Sequence, residues 1–212
     1  EYRGEWIPEE EKAALESLER EASQRAKTEG FVKVDGKWVY SHQKTIDGQL
    51  FLSVGGRFYP AAKAREMRSE WANAWTLTTE HFDLKTNMSD DFAIEWADFM
   101  EAAWDAYAEY FGSEFDKRLE LFAFRTYDDY RNYCKEVGRL GNLKAGGFAD
   151  PSIDRGVGWQ SGKGMSSLLW TMIHEGAHLY HFNAFGTKIV PSWYAEGTAT
   201  QFEGYRWDGK TR

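Results

Sequence analysis

The sequence predicts an α+β domain in which a small sheet packs on helices, and three patterns predict it. Between residues 30 and 60, short segments with alternating apolar residues flank tight glycine turns, as β-hairpins do. Two long runs, near 90–111 and 165–182, space their apolar residues three and four apart, as helices with one buried face do. From residue 76 onward the patterns follow the order β-α-β-α-β-α-α, which suits a sheet covered by helices. The chain has 212 residues, 42% hydrophobic and 17% aromatic, enough to bury a sizeable core. It divides into 1–75, an N-terminal helix with a β-hairpin appendage, and 76–212, the main domain.

The first element is a helix over residues 8–28, PEEEKAALESLEREASQRAKT. Acidic residues fill its first turns and Arg and Lys its later ones, as the helix dipole favours. Its few apolar positions (Ala13, Leu15, Leu18, Ala22) make it a solvated helix. FVKVDGKWVY (31–40) and FLSVGGRFYP (51–60) then repeat one pattern, with turns at Asp35-Gly36 and Gly55-Gly56. LTTEHFDLKTN alternates Phe82, Leu84 and Thr86 against polar neighbours, as a half-buried strand does. DFAIEWADFMEAAWDAYAEYF sets Phe92, Trp96, Phe99, Met100, Ala103, Trp104 and Tyr107 on one helical face. RLELFAF (118–124) is a further strand, and YDDYRNYCKEVG is a helix closed by Gly138. AGGFADPSIDRGVGWQSGKG is turn-rich, with short strands around Gly147-Phe148 and Val157-Trp159. A last helix begins near Ser192, after a Pro-containing turn.

Composition removes several function classes. The net charge is −8 and no run of Lys or Arg occurs, which argues against a nucleic-acid or anionic-membrane partner. No apolar stretch approaches the roughly 20 residues of a membrane span. Cys134 stands alone, so a disulfide framework and thiolate zinc motifs are excluded. The appendage reads as a packing cap, with docking of a protein partner as its other use. The chain starts at Glu1 without Met and stops at WDGKTR, so it reads as a processed form or a piece of something longer.

The chemistry gathers in Thr171–Phe182, TMIHEGAHLYHF, where three of the five histidines fall within eight residues. Turned at about 100° per residue, His174, Glu175, His178 and His181 point one way and Met165, Leu168, Met172, Gly176 and Leu179 another. His174-Glu175-x-x-His178 puts two imidazoles one turn apart on one face, within reach of one metal ion. Glu175 sits beside them, where it can take a proton from water. Zinc sites of this kind need a third protein ligand and leave a fourth position open. A histidine ten residues after the first is one solution, but that position is Ala184. His181 lies about 10 Å along the axis from His174, too far to share an ion. Glu196, in PSWYAEGTATQFEG, comes after seventeen intervening residues from His178. A loop of that length lets a second helix fold back and present its carboxylate, so Glu196 is the third ligand. Without a metal, the same segment is a core helix with a polar face.

HEGAH followed by PSWYAEGTA resembles the gluzincin metallopeptidases, whose HExxH helix is completed by a Glu on a following helix, often in a W-x-x-E-G-x-A stretch. Trp193, Glu196, Gly197 and Ala199 match that stretch. The run from about 76 to 206 is similar to the peptidase MA-like domains of bacterial proteins, and GFVKVDGKWV to the segment that often precedes them. The resemblance implies a zincin-type fold and Zn2+ held by His174, His178 and Glu196. It makes Glu175 the general base that takes a proton from water and returns it to the leaving amine. It also implies a peptide or protein substrate and an exported bacterial protein, periplasmic or extracellular.

The match has departures. Thermolysin-like members place an Asp four residues after the ligand Glu to orient a zinc histidine; that position is Thr200 here, and Glu203 is the substitute. Only sixteen residues follow Glu196, where many members carry a helical subdomain, so the domain reads as truncated. Tyr194, Tyr205 and His181 are the candidates for stabilising an oxyanion. Gly156–Gln160 is the expected edge strand for an extended peptide. The leading reading is a zinc-dependent endopeptidase. Its alternative is a catalytically inactive interaction or structural subunit of a larger assembly that keeps the same fold. Glu175 separates the two, because a structural site has no use for a base and tends to fill all four metal positions.

Overall fold

A computed structural model describes residues 29–161, 164–186 and 190–204; the predicted helix over 8–28 and Tyr205 lie outside these. The protein is α+β. Strands β1 (Phe31–Val34) and β2 (Lys37–Tyr40) turn at Asp35-Gly36, whose φ values of 50° and 75° are the left-handed pair a two-residue hairpin demands. Strands β3 (Gln43–Ile46), β4 (Gln49–Val54) and β5 (Arg57–Pro60) form a separate meander, followed by helix α1 (Ala61–Arg68). Gly55-Gly56 joins β4 to β5, as the sequence predicts, and Asp47-Gly48 makes a further hairpin of β3 and β4. That third hairpin has no apolar alternation to announce it, because β3 is exposed along its whole length.

The first hairpin is built into the main sheet. Phe31 of β1 pairs in parallel with Leu77 of β6 (Trp75–Thr78), a contact between distant segments that local alternation cannot reveal. β6 turns into β7 (Phe82–Thr86), and α2 (Asp90–Phe111) carries the chain over to β8 (Leu119–Phe124), parallel to β7. Helix α3 (Tyr127–Glu136) leads to β9 (Gly147–Asp150) and β10 (Arg155–Trp159). The seven strands lie in the order β2-β1-β6-β7-β8-β10-β9. Two helices close the described chain, α4 (Met165–Phe185) and α5 (Ser192–Glu203).

Local chemistry sets the helix ends. Ser89 Oγ accepts from the Phe92 N–H at 3.2 Å to start α2, with Asp90 and Asp91 in its first turn, and Gly112 at φ 63° ends it. Thr126 Oγ1 accepts from the Asp129 N–H at 3.1 Å to start α3. Leu119, Leu121 and Ala123 of β8 share one core with Trp96 and Met100 of α2 and Met172 and Leu179 of α4. Phe124 belongs to a second, smaller core with Phe148, Val157 and Tyr130, Tyr133 and Cys134 of α3. No helix among the described residues is long and apolar enough to cross a membrane.

The edge strand differs from the expectation. β10 lies between β8 and β9, so Gly156–Gln160 has no free edge there, and β9 is the border of the sheet. The glycines of β10 do permit close approach, but by α4. A Cβ on Gly158 would lie 2.6 Å from Met172 Sδ, and one on Gly156 2.5 Å from Leu121 Cδ2 and 3.6 Å from Glu175 Cβ.

Candidate metal centre

Helix α4 packs Leu168, Met172, Ile173, Ala177, Leu179 and Tyr180 into the core, which turns His174 and His178 toward a cleft. One helical turn separates them, and their Nε2 atoms stand 3.1 Å apart. Helix α5 buries Thr198, Ala199 and Phe202, and this setting brings Glu196 to the same point. Its Oε2 is 3.2 Å from His174 Nε2, and its Oε1 is 3.7 Å from His178 Nε2. Zinc with ligands at 2.0–2.1 Å in a tetrahedron spaces those ligand atoms about 3.3 Å apart. The two Nε2 atoms at 3.1 Å match that spacing, and the Glu196 carboxylate, with one oxygen 3.2 Å from His174 and the other 3.7 Å from His178, stands beside them as a third donor of the right kind.

The protonation pattern also suits a cation. Glu203 Oε1 lies 2.6 Å from His174 Nδ1. A carboxylate only accepts, so Nδ1 carries the proton, and Nε2 is the nitrogen left to offer a lone pair at the convergence point when a metal is bound. Burial, reinforced by the neighbouring His174 and opposed by Glu196, holds His178 below its ordinary value, which favours the neutral ring a metal ligand needs.

Glu175 is much more enclosed than the helical projection suggests, at 8% exposure. It is covered by β9 and β10: a Cβ on Gly147 would lie 3.1 Å from its Cγ. Burial, then the charges of Glu196 and Glu203, push its carboxyl up to about 8, against the Ala149 N–H that donates to it. A cation held by the two histidines and Glu196 would act the other way and favour the carboxylate. The cleft in front has a volume of about 990 Å3, with Gly147 and Ala149 of β9 on one wall, Trp170, Thr171 and Phe182 of α4 below, and Ser192 of α5 opposite.

The other sequence candidates lie elsewhere. His181 and Tyr194 are not among the residues that line the cleft; they face a neighbouring hollow with Tyr110, Phe111 and Phe185 and a small gap beside His178. Trp193 is 76% exposed and does not border the cleft either. Sequence reasoning missed a second group of possible ligands, Glu80, His81 and Glu101, which no short motif announces. There Glu101 accepts from both the backbone N–H of His81, at 3.0 Å, and its Nδ1, at 2.7 Å, and Trp104 stacks on the ring at 4.2 Å. Ala149 was missed as well, because its partnership with Glu175 depends on where β9 runs. The chain matches no protein-family model, and no curated protein is significantly similar to it in sequence.

Proposed function

We propose that this protein is a zinc-dependent peptidase of the gluzincin type, with Glu175 as its general base. One observation carries the reading: His174, His178 and Glu196, from two helices, converge within reach of one ion beside a buried carboxylate at the floor of an open cleft. Zinc held by those three residues would polarise a scissile carbonyl and acidify water. Glu203 keeps the His174 ring in the tautomer that offers Nε2. Ala149 orients Glu175 through its N–H, and the strands around Glu175 keep bulk water from its inner side. From that position Glu175 takes a proton from water and delivers it to the departing amine. β9 supplies a sheet border along the cleft wall, where an extended peptide can be held by main-chain hydrogen bonds.

Metal analysis by mass spectrometry, beside turnover of a mixed peptide library, tests the reading. About one zinc per chain is expected in the wild type, and its loss in both His178→Ala and Glu196→Ala. Glu175→Gln should keep zinc while cleavage falls about 10²- to 10⁴-fold, the usual range for a general base. Zinc absent from the wild type, even after the metal is supplied, would sink the proposal. Zinc bound without turnover of any peptide would favour a non-catalytic subunit that keeps the site for structure or docking.

A further inference from the structure

One buried phenol joins the two helices that carry the candidate site. Tyr107 of α2 is fully enclosed, and its hydroxyl donates to the carbonyl of Ile173, the residue before His174, at 2.5 Å. Its ring meets Phe202, the residue before Glu203, edge-on at 4.8 Å. Gly176, the residue after Glu175, makes room for it: a Cβ there would lie 2.9 Å from the Tyr107 hydroxyl oxygen. The same side chain therefore touches the neighbours of His174, Glu175 and Glu203 at once. The sequence shows Tyr107 only as one more ring on an apolar helical face, where Phe would serve equally for packing. A buried hydroxyl costs stability unless it is hydrogen-bonded, and a directed bond constrains rotation in a way apolar packing does not. Helix α4 turns by about 100° per residue, so a modest rotation swings both imidazoles away from Glu196 and Glu203.

We propose that Tyr107 is a positioning residue of the metal centre, fixing the rotation of α4 and its spacing from α5 so that His174 meets both Glu196 and Glu203. This rests on the zinc reading above. Tyr107 acts through Ile173, Gly176 and Phe202 and makes no contact with metal or substrate.

The test compares Tyr107→Phe with Tyr40→Phe. The second variant also removes a buried hydroxyl bond, but one that Tyr40 of β2 makes to the Ser53 carbonyl of β4 at 3.0 Å, away from α2, α4 and α5. Three readouts apply: zinc affinity by chelator competition, the visible bands of the cobalt(II)-substituted protein, and the His174 tautomer in the metal-free protein by long-range 1H–15N NMR. Tyr107→Phe should weaken zinc about 10- to 100-fold, as loss of an orienting partner does. It should also alter the cobalt bands and mix the tautomers of His174. Tyr40→Phe should lower thermal stability and leave all three readouts at their wild-type values. Wild-type affinity, bands and tautomer in Tyr107→Phe would overturn the proposal, as would equal changes in both variants. If Tyr107→Phe fails to fold, Gly176→Ala, which displaces the hydroxyl oxygen, faces the same criteria. Failure of the wild type to take up zinc or cobalt would defeat the zinc reading itself. The tautomer comparison in the metal-free chain would then still decide whether Tyr107 sets the His174–Glu203 pair.

Discussion

Glu203 shows what a single carboxylate contributes at the residue scale. Its oxygen at 2.6 Å from His174 Nδ1 favours, of the two neutral tautomers, the one whose Nε2 lone pair faces His178 and Glu196. Glu203→Ala leaves the three ligands in place but releases the ring to exchange tautomers and rotamers. Zinc affinity should fall about 10- to 100-fold, measured by chelator competition, while metal stoichiometry at saturating zinc stays at one per chain. Unchanged affinity would show that His174 is held by packing alone. The convergence of His174, His178 and Glu196 was legible in the sequence for a physical reason. His174 and His178 are related by one helical turn, and Glu196 by a loop long enough to reverse direction. Glu203 followed less directly, from its seven-residue offset along the same helix as Glu196. The enclosure of Glu175 was not legible at all, because its cover comes from β9 and β10, whose positions no pattern around residue 175 records.

At the scale of elements, the approach of α4 to the sheet depends on side chains that are missing. Gly147 of β9 is the most constrained: a Cβ would lie 2.5 Å from the Val157 carbonyl oxygen, 2.7 Å from Thr171 Cγ2 and 3.1 Å from Glu175 Cγ. The first of those atoms is backbone and cannot swing aside, so Gly147→Ala must part β9 from β10 or lift both from α4. The expected cost is that of overpacking, about 1–3 kcal/mol by urea unfolding, with a larger proportional loss of peptide turnover because Glu175 shifts too. Gly141→Ala is the control. A Cβ there meets nothing within 4 Å and its backbone is not left-handed, so stability should stay within about 0.5 kcal/mol. Equal stability of the two variants would mean that the sheet accommodates the methyl group freely. The β1–β2 and β4–β5 hairpins and helices α2 to α5 were readable because Asp-Gly and Gly-Gly turns, caps and 3.6-residue periodicity are local. The place of β10 inside the sheet was not, since a glycine-rich strand reads the same whether a peptide or a helix of its own chain lies against it.

For the whole molecule, the N-terminal hairpin, the meander and α1 are held together by one ion pair that the sequence gives no means of finding. Arg68 is 4% exposed. Its guanidinium donates to Glu29 Oε2 at 2.9 Å, to the Ser53 carbonyl at 2.7 Å and to the Asn73 carbonyl at 3.0 Å, and it also reaches the Tyr40 hydroxyl. Glu29 in turn accepts from the N–H groups of Gly55 and Gly56 at 3.0 and 2.6 Å and from the Ser53 hydroxyl. Partners this far apart in the chain leave no spacing rule, whereas the α+β class itself was readable from the order of patterns. Burial alone would push the Glu29 carboxyl up, but the Ser53 hydroxyl, the two glycine N–H groups and Arg68 outweigh it and hold it below its ordinary value. The folded state therefore binds a proton at Glu29 less readily than the unfolded chain. Its contribution is fully present above about pH 4.3, the unfolded value, and is lost as pH falls through the folded one. Glu29→Gln should lower the melting temperature at pH 7 and flatten its decline below about pH 4.3. Arg68→Met leaves the carboxylate and several carbonyls without their donor and should cost about 3 kcal/mol at pH 7. None of these residues borders the cleft, so zinc stoichiometry should hold in Glu29→Gln while the variant stays folded. A wild-type acid limb in Glu29→Gln would assign the acid sensitivity to other carboxylates, and Asp150, held low by Arg139 and Ser152 against its own burial, would be the next to replace.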